Sequence, residues 1–183
     1  DMVLIAGGVP VVVPCSEANG FRITPEQLDA AITPRTRWVF INSPSNPSGT
    51  AYSAEQLRPI LEVVLHHPQV WVLADDIYEH IRFDGLDNPH ILAIEPALSE
   101  RSLVVNGVSK TYAMTGWRVG FAGGPKQLIA AMTNMQGQIG SGISTISQAA
   151  AVAALNGPQE LLKERATDYQ KRRDEVVAML RAA

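Results

Sequence analysis

The length, composition and charge of the chain exclude several classes of protein. It has 183 residues, 46% hydrophobic and 18% charged, which excludes a disordered chain and favours one domain with a substantial core. Its net charge of −3 offers no basic surface, so we expect neither nucleic acid nor a membrane as a partner. The single cysteine, Cys15, excludes an internal disulfide and fits a cytoplasmic protein.

The first third of the chain alternates strand-like and helix-like segments. Val3–Ala6 and Pro10–Val13 are short apolar runs, which we interpret as strand candidates. A capping box at residues 24–27, with proline at the first helical position, predicts a short helix that ends near Ile32. Arg37–Asn42 is then predicted as a buried strand.

The next segments repeat this alternation. Residues 43–52 are rich in proline, asparagine and glycine, which predicts a structured loop. A second capping box at residues 53–56 opens a helix whose apolar stripe consists of Leu57, Leu61 and Val64. Val70–Ala74 is predicted as a strand that ends at Asp75.

The remainder of the chain is predicted to hold two strands and three helices. The strands are Ser102–Val105, ending at Asn106, and Val119–Gly123. The helices, each with apolar positions at helical spacing, are residues 125–139, 143–155 and 158–180. Alternation of strands and helices predicts an α/β fold with a mainly parallel sheet flanked by helices.

Both ends of the chain have the character of cuts through a longer protein. Residue 1 is Asp, and the apolar stripe of the last helix continues through Val176 and Leu180 without a stop signal. We therefore expect a piece of a larger protein, and a targeting segment upstream of residue 1 stays open.

Polar side chains follow three of the predicted strands at the points where those strands end. Asn46 follows the first, Asp75 ends the second and Lys110 follows the third. Ligands of open α/β sheets collect outside the carboxyl ends of the strands, so these three loops are expected to form one crevice.

Three segments resemble motifs of the fold-type I aminotransferases, which use pyridoxal 5′-phosphate (PLP). Residues 42–49, NSPSNPSG, resemble the N-P-x-N-P-T-G loop, and residues 75–78, DDIY, resemble the D-x-x-Y motif. Residues 109–120, SKTYAMTGWRVG, resemble the S-K-x-x-x-x-x-G-x-R-x-G signature. The resemblance covers the whole chain and is closest to the bacterial aspartate aminotransferase branch. It implies transfer of an amino group between an amino acid, aspartate or a similar one, and a 2-oxo acid.

The resemblance also implies the catalytic residues. Lys110 matches the lysine that binds the cofactor's aldehyde covalently and then acts as a general base. Asp75 matches the carboxylate that keeps the pyridine nitrogen protonated. Its neighbour Asp76 competes for this role, and the spacing to Tyr78 favours Asp75.

The remaining predicted site residues bind the cofactor. Tyr78 and Asn46 are expected to hydrogen-bond its phenolic oxygen, and Arg118 its phosphate. Ser109 offers a further hydroxyl. Some relatives carry a phosphate-binding serine three positions before the lysine, where this chain has Gly107, so the contribution of serine stays open. The four histidines lack ligand spacing, so we expect no metal.

The resemblance implies how the chain is organised within a larger enzyme. Residues 1–183 are expected to form part of the PLP-binding large domain, with the C-terminal helix leading towards a small domain outside this chain. The full-length protein is expected to be a homodimer. In the family, an aromatic ring that stacks on the cofactor lies upstream, and the arginine for the substrate's α-carboxylate lies in the small domain. The identity of the substrate is therefore left open, as is whether this chain alone binds PLP.

Two other functions fit the same residues. The first is another PLP reaction on this fold, by a carbon–sulfur lyase or a cyclising synthase, because the cofactor itself carries the bond chemistry. The second is the non-catalytic effector domain of a PLP-binding transcription regulator. That function requires a DNA-binding domain upstream of residue 1.

Overall fold

The computed structural model describes residues 1–87 and 89–183 and is built on one four-stranded sheet. The strands, in chain order and in sheet order, are β1 (Trp38–Asn42), β2 (Trp71–Asp75), β3 (Ser102–Gly107) and β4 (Gly120–Gly123). The first three are parallel neighbours, and β4 pairs antiparallel with β3. The predicted α/β fold with a mainly parallel sheet is therefore confirmed.

Helices flank this sheet and continue beyond it. They are α1 (Met2–Ile5), α2 (Pro25–Ala31), α3 (Ala54–His66), α4 (Ile91–Ile94), α5 (Val108–Thr111), α6 (Lys126–Ile139), α7 (Thr145–Asn156) and α8 (Glu160–Ala182). Short 3-10 turns lie at Glu17–Asn19, Pro96–Arg101 and Thr115–Trp117. Within the described ranges, no helix is both long and apolar enough to cross a membrane.

Both predicted capping boxes are present. The Thr24 hydroxyl accepts a hydrogen bond from the Gln27 backbone N–H at 3.2 Å, and the Gln27 side chain accepts one from the Thr24 N–H at 2.9 Å. Ser53 and Gln56 form the same pair of bonds at the start of α3. Each box satisfies N–H groups that the first turn of a helix leaves without partners, so local sequence determines where α2 and α3 begin.

The core lies between α3 and the sheet. The predicted stripe of α3 is buried, and Leu61 and Val64 are fully enclosed. Strand β2 and the residue before it supply Val70, Val72 and Ala74 to the same cluster. Alternate residues of this segment face the core, as the two-residue period of a strand requires.

The predicted strands at Val3–Ala6 and Pro10–Val13 are wrong. Met2–Ile5 forms one helical turn, in which the Ile5 N–H donates to the Asp1 carbonyl at 3.0 Å. Residues 10–13 form neither a helix nor a strand. Apolar, β-branched runs become strands only when a neighbouring strand binds their backbone groups, and among the described residues none pairs with them.

The helices α6 to α8 were predicted with apolar stripes, and those stripes are mostly exposed. Met135 and Ile139 of α6 are accessible to solvent, as are Val176 and Leu180 of α8. Leu162, near the start of α8, is buried. Helix formation here follows local sequence pattern, whereas burial requires a packing partner.

Arg101 ties the end of α3 to the start of β3. Its Nη1 donates to the carbonyl oxygens of Val64, His67 and Val70 at 3.1, 2.8 and 2.8 Å. Partial burial lowers the pKa of this guanidinium from its ordinary value. The last carbonyls of a helix lack intrahelical partners, and a cation is favourable there. Arg101 thus joins α3, the turn after it and the sheet.

Replacing Arg101 with methionine should lower the free energy of unfolding by about 1.5–3 kcal/mol, because four carbonyls, including that of Leu65, lose a charged donor while the apolar stem is kept. Urea unfolding of the chain measures this. Arg58→Met on the exposed face of α3 is the matched control and should change stability by less than about 0.5 kcal/mol. Equal effects of the two substitutions would show that the Arg101 contacts contribute nothing.

Candidate active site

The register of the parallel strands brings their carboxyl ends together. Asn42, the last residue of β1, pairs with Asp75, the last residue of β2. Asp75 in turn pairs with Val105 of β3, two residues before that strand ends. The loops after β1, β2 and β3 therefore leave the sheet at one edge. The segments after these strands carry Asn46, Tyr78 and Lys110 respectively, with Lys110 in the short helix α5.

Asn42 links two of these strand ends through its side chain. Its Nδ2 donates to the Asp75 carbonyl oxygen at 3.0 Å, and its Oδ1 accepts from the Asn46 backbone N–H at 3.0 Å. One amide thus holds the loop that carries Asn46 against the end of β2. The sequence analysis missed this role, because nothing local to Asn42 indicates which partners its amide meets across the sheet.

The turn after β2 places Tyr78 close to Lys110. The Asp75 carboxylate accepts from the Ile77 N–H at 3.2 Å, and the Glu79 N–H donates to the Asp76 carbonyl at 2.9 Å, which closes the turn. The Lys110 Nζ lies 5.7 Å from the centre of the Tyr78 ring. The exposed lysine amine and the half-buried tyrosine therefore share one surface of the site.

Asp75 and Asp76 differ sharply in environment. The alternation of β2 continues past its end, so Asp76 follows Val72 and Ala74 onto the buried face and is only 8% exposed, while Asp75 is half-buried. The Asp76 Oδ2 lies 3.4 Å from the His90 Nε2. Burial raises the pKa of Asp76 to about 6, and the His90 charge opposes that rise.

The turn that carries Lys110 begins at Gly107. A Cβ at this position would lie 2.9 Å from the Val119 carbonyl oxygen and 3.3 Å from the Gly120 Cα, both of them backbone atoms of the neighbouring chain segment. This crowding gives a physical reason for glycine where some relatives have serine. Ser109 lies half-buried within α5, one residue before Lys110.

Arg118 flanks this group of residues. It is exposed, adopts a left-handed backbone conformation with φ of 54°, and donates through Nη1 to the Thr115 carbonyl at 2.9 Å. The next residue, Val119, accepts a bond from the Val108 N–H at 3.3 Å. Arg118 is thereby placed beside the lysine turn. Its hydrogen bond within the described part of the chain goes to Thr115, not to another predicted site residue.

A cavity of about 370 Å³ opens on the Asn46 and Tyr78 side of the site. Its wall includes the three arginines Arg22, Arg82 and Arg173. Arg173 is paired with the one carboxylate of the wall, Asp84, at 2.8 Å. Asp87 also lies 3.7 Å from Arg82 and Asp174 lies 2.6 Å from Arg173, so most of the positive charge of this wall is paired with nearby carboxylates.

A side-chain contact also joins the turn after β2 to the end of β3. The Asn106 Nδ2 donates a short hydrogen bond to the Glu79 Oε1. The Asn106 Oδ1 accepts from the Gly107 N–H at 2.7 Å. Neither Glu79 nor Asn106 was among the predicted site residues. The only sequence signal for them is their position, one residue after Tyr78 and at the end of a predicted strand.

The fold and the residues at its carboxyl edge together define a class of protein. A mainly parallel α/β sheet carries a lysine beside a tyrosine ring, and a carboxylate ends the adjacent strand. Within residues 1–87 and 89–183, no group of three or more histidine, cysteine or acidic side chains is placed to hold a metal ion. The parallel sheet, the lysine beside a tyrosine and the carboxylate of the adjacent strand are those of a PLP-dependent transferase domain.

Comparison with known proteins identifies the family. The family model described as aminotransferase class I and II matches residues 1–183, and the chain belongs to this family. It is 60% identical over its whole length to an aspartate aminotransferase of Rhizobium meliloti (strain 1021), and spans 44% of that protein. It is 54% identical to an aspartate/prephenate aminotransferase of Cereibacter sphaeroides, and spans 46% of that protein.

A solved structure shows the same fold. The crystal structure of the Rhizobium meliloti aspartate aminotransferase superimposes with a TM-score of 0.97 over 99% of this chain and 45% of its own. The chain thus spans less than half the length of these relatives. Enzymes of this family use pyridoxal 5′-phosphate as cofactor.

The buried Asp76 carboxyl predicts how stability depends on pH. Its folded-state pKa of about 6 lies above the ordinary 3.8, so protonated Asp76 favours the folded state, and this contribution is lost as the pH rises through 6. Relative to Asp76→Asn, which stays neutral, the parent chain should lose on the order of 2–3 kcal/mol between pH 4 and pH 7.

Urea unfolding of both chains across this pH range measures the difference. The same substitution at the fully exposed Asp87 is the control for the change from a carboxylate to an amide. A constant difference between the parent and Asp76→Asn would contradict a raised pKa.

Proposed function

We propose that the full-length protein is a PLP-dependent aminotransferase that transfers an amino group between aspartate, or a similar amino acid, and a 2-oxo acid. The observation that carries this proposal is the Lys110 amine 5.7 Å from the Tyr78 ring, with Asp75 at the end of the adjacent strand. The 60% identity to an aspartate aminotransferase supports it. Residues 1–183 then form part of the large domain of a cytoplasmic homodimer.

The side chains present fit the cofactor by their chemistry. An amine suits its aldehyde, a carboxylate its pyridine nitrogen, a phenol and an amide its phenolic oxygen, and a guanidinium its phosphate. Lys110, Asp75, Tyr78, Asn46 and Arg118 supply these groups in that order. The half-buried Ser109 is a further candidate for the phosphate.

Lys110 has two roles in this proposal. Its Nζ would hold the cofactor's aldehyde carbon covalently, and its free amine would accept the proton from the substrate's α carbon. When bound, PLP supplies an electron sink for the negative charge that this proton leaves behind. The amine needs freedom to move between two atoms, which its exposed position at the end of α5 allows.

Asp75 provides the charge that controls this chemistry. A carboxylate next to a pyridine nitrogen favours the protonated ring. Asp75 is half-buried and lies on the face of the sheet opposite to Asp76. Asp76 is buried and instead lies 3.4 Å from His90, which leaves Asp75 for the cofactor.

The arginines of the neighbouring cavity suit an acidic substrate. Three arginines and one carboxylate line it, and Asn46 and Tyr78 belong to the same wall. A guanidinium can bind a carboxylate bidentately, so these arginines suit a dicarboxylate such as aspartate or 2-oxoglutarate. Prephenate is a second candidate amino acceptor, because the Cereibacter sphaeroides relative is an aspartate/prephenate aminotransferase.

Borohydride reduction of the full-length protein with PLP should fix the cofactor on Lys110, because reduction makes the covalent bond permanent. Lys110→Ala should abolish this labelling and lower turnover of aspartate and 2-oxoglutarate by at least about 10²–10⁴-fold. Lys126→Ala, at an exposed lysine that begins α6, is the control and should behave as the parent. Peptide mapping that finds the label on Lys126 would refute the assignment.

A pair of neighbouring substitutions tests the role of Asp75. Asp75→Asn should lower the turnover number of the full-length enzyme by at least about 10²-fold, because the ring nitrogen loses its anionic partner. Asp76→Asn is matched in chemistry and adjacent in sequence, and should retain turnover within a few-fold. The reverse order of effects would show that Asp76 faces the cofactor.

A further inference from the structure

The segment that carries Lys110 has little stability of its own. Helix α5 is a single turn of four residues, and an isolated turn is unfavourable because nucleation fixes several dihedrals for one hydrogen bond. The direction in which α5 leaves β3 therefore depends on contacts at its start. Gly107, the N-cap of α5, is the residue at which this direction is set.

A chain of two hydrogen bonds reaches Gly107 from the turn after β2. The Gly107 N–H donates to the Asn106 Oδ1 at 2.7 Å, and the Asn106 Nδ2 donates to the Glu79 carboxylate. The second bond is charge-assisted, and such bonds are about twice as strong as neutral ones. Glu79 thus fixes the side-chain amide of Asn106, and this amide fixes the Gly107 N–H at the start of α5.

Glu79 is itself well anchored. Its N–H donates to the Asp76 carbonyl at 2.9 Å, and the Asp76 N–H donates to the Val105 carbonyl of β3 at 3.0 Å. Its carboxylate is partly exposed and lies 3.5 Å from the His80 Nε2. The turn that carries Tyr78 is therefore bound to β3 twice: through the backbone of Asp76 and through the side chain of Glu79.

The charge of Glu79 also affects a side chain at the end of α5, that of Tyr112. Burial raises the pKa of the Tyr112 phenol, and the Glu79 carboxylate adds to that rise. Tyr112 directly follows α5 and donates to the Gln159 Oε1 at 2.8 Å. The Glu79 charge therefore also acts on a side chain at the end of the lysine turn.

We propose that Glu79 is a positioning residue which, through Asn106, sets the orientation of the turn that carries Lys110 and hence the place of its amine relative to Asp75 and Tyr78. This inference rests on the proposed function, because only a bound cofactor gives that placement a consequence. A correctly placed amine reacts as if at high effective concentration, and small displacements of a reacting group lower rates strongly.

The test is the rate at which PLP becomes fixed on Lys110 in the full-length protein, followed by its visible absorbance and by borohydride trapping at set times. Glu79→Ala should slow this attachment about 10-fold or more. Glu79→Gln keeps an acceptor for Asn106 and should remain within about 3-fold of the parent. Glu62→Ala, at an exposed glutamate of α3, is the control and should not differ from the parent.

A second pair of variants tests the hydrogen bond itself. Asn106→Asp places two carboxylates together and should slow attachment as Glu79→Ala does. Combining it with Glu79→Gln restores one donor and one acceptor in reversed order, and the aspartate still accepts from the Gly107 N–H. The double variant should therefore recover most of the parent rate. If Glu79→Ala fails to fold, the comparison of Asn106→Asp with the double variant still tests the hydrogen bond.

The possible outcomes separate the two proposals. Attachment at the parent rate in Glu79→Ala and in Asn106→Asp would overturn the positioning role, as would failure of the double variant to recover. An equal loss in Glu79→Gln and Glu79→Ala would assign the effect to charge and overturn it too. Failure of the parent protein itself to attach PLP at Lys110 would instead overturn the proposed function, and this inference with it.

Discussion

Parallel pairing of β1, β2 and β3 is the constraint on which the site depends. Parallel strands run in the same direction, so their carboxyl ends meet at one edge, and the pairing of Asn42, Asp75 and Val105 determines how closely. A shift of one residue in β2 would exchange the faces of Asp75 and Asp76, because strand side chains alternate. The buried residues Val70, Val72 and Ala74 oppose that shift, since it would expose all three. Packing of α3 on this face thus maintains the register of β2 and, with it, the position of Asp75 at the carboxyl end of the strand.

Backbone hydrogen bonds between the strands do not position the loops, because the loops that follow parallel strands are not paired with one another. Two amide side chains supply the missing connections: Asn42 binds the end of β2 and the loop with Asn46, and Asn106 binds Glu79 and the N–H of Gly107. An amide can do this because it donates and accepts at once. Each therefore joins two segments that are distant in sequence.

The contrast between Asp75 and Asp76 shows how position decides the behaviour of identical side chains. Asp76 is buried beside His90, and its pKa rises to about 6, so its charged form is disfavoured. Asp75 remains half-buried and accepts a hydrogen bond from the backbone of Ile77. A carboxylate that is to stabilise a positive charge must itself stay ionised, which the buried position of Asp76 opposes.

The sequence by itself determined the features that depend on local pattern. Both capping boxes start their helices as predicted, the stripe of α3 is buried, and all four strands from β1 to β4 were found. The resemblance of three motifs also identified the family that the comparisons show. The roles of Lys110, Asp75 and the other site residues follow from the same motifs and remain predictions. These features were readable because hydrophobic period, caps and motifs are properties of neighbouring residues.

Only the tertiary structure decided the features that depend on distant partners. Val3–Ala6 has a strand-like composition, yet it forms a helical turn because no neighbouring strand binds it within the described residues. The stripes of α6 and α8 predicted helices correctly, yet periodicity does not state what will cover them. Likewise, no local signal connects Glu79 to Asn106 or Arg101 to the end of α3. Such contacts arise when the sheet brings separate segments together, so their energies depend on the fold and not on the sequence around each residue.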